Sequence, residues 1–115
     1  MFNYHTSNVL LFEGFIDFLS YLTVKKISEP PFTTVVLNSS VMMPRFIEFV
    51  NKNKFISSVD YFRDRDEIEG KNTGLQTLKH IQKSLEPIRI NDISRFYIKY
   101  KDLNEWLKNE LILNN

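Results

Sequence analysis

In the stretch NVLLFEG, residues 8–14, a short, mainly apolar run is followed directly by an acid and a glycine. A later stretch, VDYFRDRD at residues 59–66, has the same form and ends in Asp64-Arg65-Asp66. Short runs rich in β-branched and aromatic residues are typical of buried strands. If the two strands are neighbours in a parallel sheet, Glu13, Asp64 and Asp66 meet at one edge. Three carboxylates at one edge indicate a divalent-metal site of the kind used to move phosphoryl groups.

Length and composition favour one globular domain. The chain has 115 residues, of which 43% are hydrophobic and ten are Phe, enough to build a core. It has no cysteine, which excludes disulfides and cysteine-ligated zinc. The apolar runs are far shorter than the roughly 20 residues that span a bilayer, and the N-terminus lacks the regions of a signal peptide. We therefore expect a soluble, cytoplasmic protein without a membrane partner.

The distribution of charge is more informative than the net charge of +1. Residues 60–69 contain five acids and two arginines, whereas residues 71–101 contain seven Lys or Arg. An acidic site beside a basic segment suits a metal-dependent enzyme with a polyanionic substrate. In that interpretation Lys71, Lys79 and Lys83 are candidate contacts to nucleic acid. A solvated helix face followed by a polar loop explains the same charges.

Apolar spacing and chain breakers predict strands that alternate with helices. Pro30, Pro31 and Pro87 interrupt the helical patterns. The predicted strands are residues 7–12, 33–37, 55–62 and 88–90. The predicted helices are residues 15–24, a segment around 43–50, residues 72–85 and a last helix that begins at 102. Residues 91–100 are expected to form a loop.

Each predicted helix has apolar residues spaced to face a core. The last helix begins with a capping-box pattern, Asp102 as N-cap and Glu105 three residues later. Trp106 lies on its apolar face and is expected in the core. The residues expected to face inward are Phe15, Phe18, Leu19 and Leu22 in the first helix, Leu75, Leu78, Ile81 and Leu85 in the third, and Leu103, Trp106, Leu107 and Leu111 in the last.

A β-α-β-α-β-α-β-α order predicts a parallel sheet with helices on both faces, and ligands then bind at the carboxyl ends of the strands. Asp64 and Asp66, two residues apart in an extended chain, are expected to point the same way and share a Mg²⁺ ion. Glu13 is expected either to ligate a second metal ion or to act as a general acid or base. Gly14 is expected to let the backbone turn tightly beside it. Repulsion between clustered carboxylates should raise at least one pKa.

These motifs resemble the Toprim domain, the catalytic domain shared by bacterial DNA primases, type IA and II topoisomerases and certain nucleases. Residues 13–17, EGFID, are especially similar to the first motif of the primases. Residues 100–105, YKDLNE, resemble a late stretch of the same primase domain. Residues 36–39, VLNS, match the second strand of primase-like Toprim proteins of Bacteroidetes and their mobile elements. The resemblance spans roughly residues 7–113.

The resemblance implies a three-layer α/β/α Toprim (Rossmann-like) fold with a four-stranded parallel sheet. It implies a Mg²⁺- or Mn²⁺-dependent module that transfers nucleotidyl or phosphoryl groups, with Glu13 as the acid/base residue and Asp64 and Asp66 as the metal pair. Asp17 and Asp102 correspond to the aspartates of the first and late motifs. Primer synthesis on a DNA template is the first hypothesis. A Toprim nuclease or topoisomerase-related module, and a degenerate module that binds DNA or a partner without catalysis, are the alternatives.

The resemblance also bears on the rest of the protein and on its partners. DNA template and nucleotides are the expected partners, together with other domains of a longer parent chain, such as a zinc-binding module or a helicase. We expect residues 1–115 to be a single domain, a fragment of that parent, with flexible termini at residues 1–6 and 114–115.

Several residues have two explanations. Arg63 and Arg65 flank Asp64 where the family has apolar or small residues, and they can pair with the aspartates and weaken metal binding. Asp17 either faces the metal site or is an ordinary acid at a helix start, and Asp102 is expected as a cap rather than a ligand. Asn38 either touches phosphate or serves a turn.

Some residues depart from the family pattern or have a simpler explanation. Gly70 lies four residues after Asp66, one further than is usual in primases. His5 and His80 are expected on the surface. Four of the five tyrosines can stack on bases but are expected to pack in the core or at its rim: Tyr4, Tyr61, Tyr97 and Tyr100.

Overall fold

The structure, a computed structural model, describes residues 4–113. The strands are β1 (Asn8–Phe12), β2 (Thr33–Val36), β3 (Ser58–Phe62) and β4 (Arg89–Asp92). The α-helices are α1 (Phe15–Lys25), α2 (Met43–Lys52), α3 (Thr73–Ser84) and α4 (Leu103–Leu113). Three short 3-10 helices cover Ser40–Met42, Asp66–Glu69 and Ile93–Tyr97.

The four strands form one parallel sheet in the order β2-β1-β3-β4. In the register between the two central strands, Phe12 lies beside Phe62. The chain therefore leaves β1 and β3 at the same level of the sheet, and the residues after each strand emerge side by side. The predicted parallel α/β fold is confirmed.

Each face of the sheet has its own core, as the alternation of side chains along a strand requires. One core joins the sheet to α2 and α3 and contains Val9, Leu11, Leu37, Met43, Phe46, Val50, Ile56, Val59, Tyr61, Leu78, Ile81 and Leu85. The other joins it to α1 and α4 and contains Leu10, Phe12, Phe18, Tyr21, Phe62, Tyr97 and Leu103. The layers are therefore α/β/α, with the sheet in the middle.

The end of the predicted fourth strand was wrong. The strand continues to Asp92 because Asn91 and Asp92 pair with Asp60 and Tyr61 of β3. Directly after the strand, where a loop was expected over residues 91–100, the chain forms the 3-10 helix Ile93–Tyr97. Asp92 caps this helix by accepting from the Ser94 N–H. The third strand is also shorter than predicted, since it begins at Ser58.

The inner face of α1 differs from the prediction. Phe18 and Tyr21 are buried, but Phe15 and Leu19 are 52% and 41% exposed. Relative to the predicted orientation, α1 is rotated about its own axis, because it packs on α4 as well as on the sheet. Its buried polar residues meet Asn104 of α4: Asp17 accepts from the Asn104 N–H, and the Ser20 hydroxyl lies 3.2 Å from Asn104 Oδ1.

The inward faces of the last two helices follow the sequence pattern more closely. In α3, Leu78 and Ile81 are buried and Leu75 is half-buried, while Leu85 is buried just beyond the helix. In α4, Leu103 is buried and Trp106 packs against the second core, but Leu111 is 53% exposed. None of the described helices is long and apolar enough to cross a membrane.

Part of the termini expected to be flexible, residues 1–3 and 114–115, lies outside the described residues. Within the described part, the Tyr4 and Thr6 N–H groups donate to the Thr33 hydroxyl at 2.9 and 3.5 Å. The segment before β1 is thereby tied to the start of β2.

Candidate metal centre

The strand order places a crevice at the carboxyl ends of β1 and β3. From β1 the chain crosses to β2 on one side, and from β3 it crosses to β4 on the other. In open α/β sheets, ligands bind where the connections diverge in this way. Glu13 directly follows β1, and Asp64 lies two residues beyond the end of β3.

Glu13 is held by two donors from β3 and its exit. The Tyr61 hydroxyl donates to Oε1, and the Asp64 N–H donates to Oε2 at 2.9 Å. Tyr61 is fully buried, and burial, with the charge of Glu13 next, raises its pKa well above the usual range. The hydroxyl therefore stays a donor, and Glu13 is fixed as an acceptor.

Three other parts of the chain bring carboxylates together beside Glu13. Asp17 comes from the first turn of α1, Asp64 from the exit of β3, and Asp102 from the residue before α4. One oxygen from each lies within 4.8 Å of the others. Asp17 is buried, and the other two are half-buried. These three carboxylates and Glu13 line one cleft of about 440 Å³, the acidic cleft.

Two carboxylates of the acidic cleft, Asp64 and Asp17, have raised pKa values. Burial raises the pKa of Asp64 to about 7, reinforced by the charges of Glu13, Asp17 and Asp102 and opposed by Lys101. Burial likewise raises the pKa of Asp17 to about 6, with the charges of Asp102 and Glu13 adding and the Asn104 N–H opposing. The rise expected from clustered carboxylates is therefore found at Asp64.

This donor set fits a hard divalent cation. Mg²⁺ and Mn²⁺ prefer oxygen ligands, and the cleft offers one oxygen from each of three carboxylates within reach of a shared ion. Burial and, after it, the neighbouring negative charges raise the pKa values of Asp64 and Asp17, and a bound cation would offset that repulsion. Among the described residues, Asp17, Asp64 and Asp102 are thus placed to hold Mg²⁺ together.

Comparison with known families decides what kind of domain this is. A family model described as Toprim-like matches residues 10–107. The chain belongs to the Toprim-like family. No curated protein and no solved structure matches it. Toprim domains bind Mg²⁺ through acidic residues, and the acidic cleft supplies such residues here.

Asp66 lies apart from the other Toprim aspartates. The extended course assumed for Asp64 and Asp66 was wrong, because the chain enters the 3-10 helix Asp66–Glu69 at Asp66 itself. The Asp66 Oδ1 atom accepts from the Gly74 N–H at 3.0 Å, near the start of α3. Asp66 does not line the acidic cleft. Its role as a metal ligand stays a prediction.

Gly74 makes this arrangement possible and was missed from the sequence. A Cβ atom at this position would lie 2.5 Å from the Asp64 carbonyl oxygen and 3.1 Å from Asp66 Oδ1. Only glycine lets the first turn of α3 approach the exit of β3 so closely. The signal was present in the sequence: a glycine inside the first turn of a predicted helix, where it costs stability.

The two arginines that flank Asp64 in the Toprim motif are engaged elsewhere. Arg63 is 2% exposed, and its guanidinium binds Asp92 at 3.2 Å and Glu67 at 3.0 Å. Arg65 donates to the Ser94 hydroxyl at 2.9 Å and lies 3.6 Å from Glu67. Within residues 4–111, neither arginine forms an ion pair with Asp64 or Asp66.

Three residues were expected to support the Toprim site: Asp102, Asn38 and Gly14. Asp102 both caps α4, by accepting from the Glu105 N–H at 2.8 Å, and belongs to the acidic cluster. Asn38 has a positive φ of 59° and its N–H donates to the Glu13 carbonyl at 2.9 Å. The expected tight turn at Gly14 was wrong: its φ of −135° and ψ of 155° are extended.

The remaining candidates lie outside the acidic cleft. Lys71, Lys79 and Lys83 are exposed, and Lys71 forms an ion pair with Glu69 at 3.6 Å. The predicted packing of Tyr61 and Tyr97 is confirmed, since both are buried in the core. Lys101 and Asn104, which tune the pKa values of Asp64 and Asp17, were missed from the sequence.

Proposed function

We propose that this Toprim domain is a Mg²⁺- or Mn²⁺-dependent module of the DNA primase type that transfers nucleotidyl groups on nucleic acid. One observation carries the proposal: Asp17, Asp64 and Asp102 converge within 4.8 Å beside Glu13, at the carboxyl ends of β1 and β3. Such a cluster of carboxylates is unfavourable without a cation and suits one that also binds phosphate.

The residues of the cleft have separate roles in this proposal. Asp17, Asp64 and Asp102 hold the cation, which when bound supplies positive charge to a phosphoryl oxygen. Glu13 accepts the proton of the attacking hydroxyl as a general base. Its orientation suits that role because the Tyr61 hydroxyl and the Asp64 N–H fix both of its oxygens. Asp66 supports the start of α3 through Gly74.

The primase type rests on the similarity of residues 13–17 and 100–105 to the two primase motifs. Those motifs contribute Glu13, Asp17 and Asp102, all of which line the acidic cleft. The proposed partners are a DNA template, nucleotides and other domains of a longer parent chain, such as a zinc-binding module or a helicase. Exposed lysines on and before α3, Lys71, Lys79 and Lys83, are proposed contacts to the nucleic-acid backbone.

One observation favours a second candidate, a Toprim module that binds DNA or a partner without catalysis. Asp66, half of the expected metal pair, is committed to the Gly74 N–H. A metal centre that needs both aspartates of the pair would be incomplete in this arrangement.

Titration with Mg²⁺ and Mn²⁺ tests the metal centre directly. We expect either ion to raise the melting temperature and to shift the amide signals of Asp64 and its neighbours. The variant Asp64→Asn should lose both effects. Glu48→Gln is the matched control, because Glu48 is exposed and pairs with Lys52 on α2. Absence of any response in the unmodified protein would refute both catalytic hypotheses, the primase type and the nuclease.

Activity assays on the protein with DNA and nucleotides then separate the candidates. Synthesis of primers from nucleotides on single-stranded DNA supports the primase type, whereas cleavage of phosphodiesters indicates a Toprim nuclease with the same carboxylates. We expect Glu13→Gln to abolish either activity while the fold is kept. Cation binding without either activity would favour the non-catalytic module.

A further inference from the structure

A second cavity, of about 550 Å³, adjoins the acidic cleft at Glu13. The acidic cleft lies on the side of α1 and α4, and the second cavity lies between the starts of α2 and α3, beyond the opposite face of the sheet. Glu13 and Asn38 line both. We call this second space the α2–α3 cavity. A ligand that lies across Glu13 would therefore contact residues of both spaces.

The two spaces differ in chemistry. The acidic cleft is lined by Glu13 and three aspartates. In the α2–α3 cavity, Glu13 supplies the single carboxylate among the described lining residues, and the other polar groups are hydroxyls, amides and an imidazole. Cations and the phosphates that accompany them therefore belong in the acidic cleft. The α2–α3 cavity suits an uncharged, hydrogen-bonding part of the same ligand.

One face of α3 forms a polar wall of the α2–α3 cavity. Thr73, Gln76, Thr77 and His80 recur at spacings of three and four residues and so lie on one side of the helix. The Gln76 amide and the His80 imidazole each offer donors and acceptors to the edge of a planar heterocycle. Lys79 does not line the cavity. Along α3 this wall therefore offers hydroxyl, amide and imidazole groups and no carboxylate, lysine or arginine.

The opposite wall is apolar and belongs to the exit of β2 and the start of α2. Leu37 and Met43 are 6% and 7% exposed, and Pro44 completes the surface. Ser39 and Ser40 add hydroxyls at the rim. An apolar wall opposite hydrogen-bonding side chains fits a flat ring whose edge is polar and whose faces are not. A volume of about 550 Å³ lies within the usual range for small-molecule sites.

We propose that the α2–α3 cavity holds the nucleoside part of a nucleotide substrate, while the phosphates lie at Glu13 in the acidic cleft. In this arrangement Gln76 and His80 contact the base, and the serines at the rim face the sugar. The inference rests on the proposed function, because that function supplies a ligand with phosphates at the carboxylates. It assigns a role to His80, which is exposed as the sequence predicted.

Binding of ATP with Mg²⁺, followed by amide NMR of the unmodified protein, tests the inference. We expect signals of residues 73–80 to shift with ATP and with adenosine, but not with pyrophosphate alone. Gln76→Ala and His80→Ala should each weaken ATP binding about tenfold, which corresponds to about 1.4 kcal/mol. Gln82→Ala is the matched control, since Gln82 is exposed on α3 and does not line the cavity.

The outcomes distinguish this inference from the proposed function. If Mg²⁺ shifts Asp64 but ATP leaves residues 73–80 unchanged, the inference is overturned and the metal centre stands. The inference is also overturned if both alanine variants bind ATP as tightly as Gln82→Ala does. If ATP shifts residues 73–80 although Mg²⁺ never shifts Asp64, the nucleoside site stands and the metal-dependent function falls.

Discussion

The backbone N–H of Asp64 donates to Oε2 of Glu13 at 2.9 Å, so the exit of one central strand holds the acid that follows the other. The register of β1 and β3, with Phe12 beside Phe62, sets this relationship. Because the sheet rather than a long loop positions Glu13, the packing of the two central strands fixes the orientation of its carboxylate. The Tyr61 hydroxyl on its other oxygen completes the support.

Loss of the Tyr61 hydroxyl should impair the site more than the fold. Tyr61→Phe removes the donor to Glu13 Oε1, and we expect a loss of about 1–2 kcal/mol of unfolding free energy. Any Mg²⁺-dependent activity should fall by at least about tenfold, since a residue that orients a catalytic group typically contributes that much. Urea unfolding and initial rates measure the two effects.

Tyr97→Phe is the control for this prediction. Tyr97 is equally buried, and its hydroxyl donates to the Arg63 carbonyl at 2.8 Å and not to Glu13. We expect a similar loss of stability with little change in activity. Equal activity in the two variants would show that Tyr61 does not position Glu13.

The stability of the metal-free protein should fall as pH rises from 5 to 8. The pKa of Asp64 is about 7 in the folded state against an ordinary value of 3.8, so the folded state binds this proton more tightly than the unfolded state. The bound proton therefore stabilises the folded state fully below pH 3.8. This stabilisation declines as the pH rises and is lost above the folded pKa of about 7. Asp17, with a pKa of about 6, adds to the same trend.

The size of this effect is on the order of 1–2 kcal/mol for Asp64, reduced from a fully buried group by its partial exposure. Urea unfolding at several pH values measures it. Asp64→Asn should flatten the dependence. Saturating Mg²⁺ should stabilise the protein more at pH 8 than at pH 5, because protons compete for the same oxygens. A larger Mg²⁺ effect at pH 5 would contradict the assignment.

The sequence predicted the strands and helices well where a single periodicity governed them, as in β1 and in the inner face of α3. It predicted the inner face of α1 badly, because Asp17 and Ser20 are buried by contacts with Asn104, 84 or more residues away. Such long-range polar contacts leave no local pattern.

The same distinction applies to the site. Glu13 and Asp64 were placed correctly at one edge because strand ends in a parallel sheet meet there. The separation of Asp66 depends on the 3-10 helix that begins at that residue and on the close approach of Gly74. Both are tertiary features, and an Asp-x-Asp pattern in an assumed extended chain contains neither.

Gly74→Ala should destabilise the protein, contrary to the usual effect of this change in a helix. Alanine normally adds up to about 1 kcal/mol over glycine in a helix interior. Here its Cβ would meet the Asp64 carbonyl oxygen at 2.5 Å, so the start of α3 must shift, at a cost of about 1–3 kcal/mol. Mg²⁺ binding should weaken as well, because Asp64 is displaced.

Gly14→Ala is the control for Gly74→Ala. Gly14 also lies beside the site, but its backbone is extended and a Cβ there has no heavy atom within 4 Å. Because Gly14 is the N-cap of α1, where alanine is disfavoured, we expect a loss of about 0.5–1 kcal/mol with Mg²⁺ binding kept. Chemical denaturation of both variants tests the contrast, and a stable Gly74→Ala protein would refute the close approach.

Removal of the Arg65 charge should leave the affinity for Mg²⁺ nearly unchanged. The Arg65 guanidinium donates to Ser94 and lies 3.6 Å from Glu67, so its charge is largely balanced outside the acidic cleft. Arg65→Met should therefore change the dissociation constant for Mg²⁺, measured by calorimetry, by less than about threefold. Arg63→Met, by contrast, should destabilise the fold by about 3 kcal/mol or more, because it leaves Glu67 and Asp92 without their buried partner. A large gain in Mg²⁺ affinity in Arg65→Met would show that the flanking arginine opposes the metal after all.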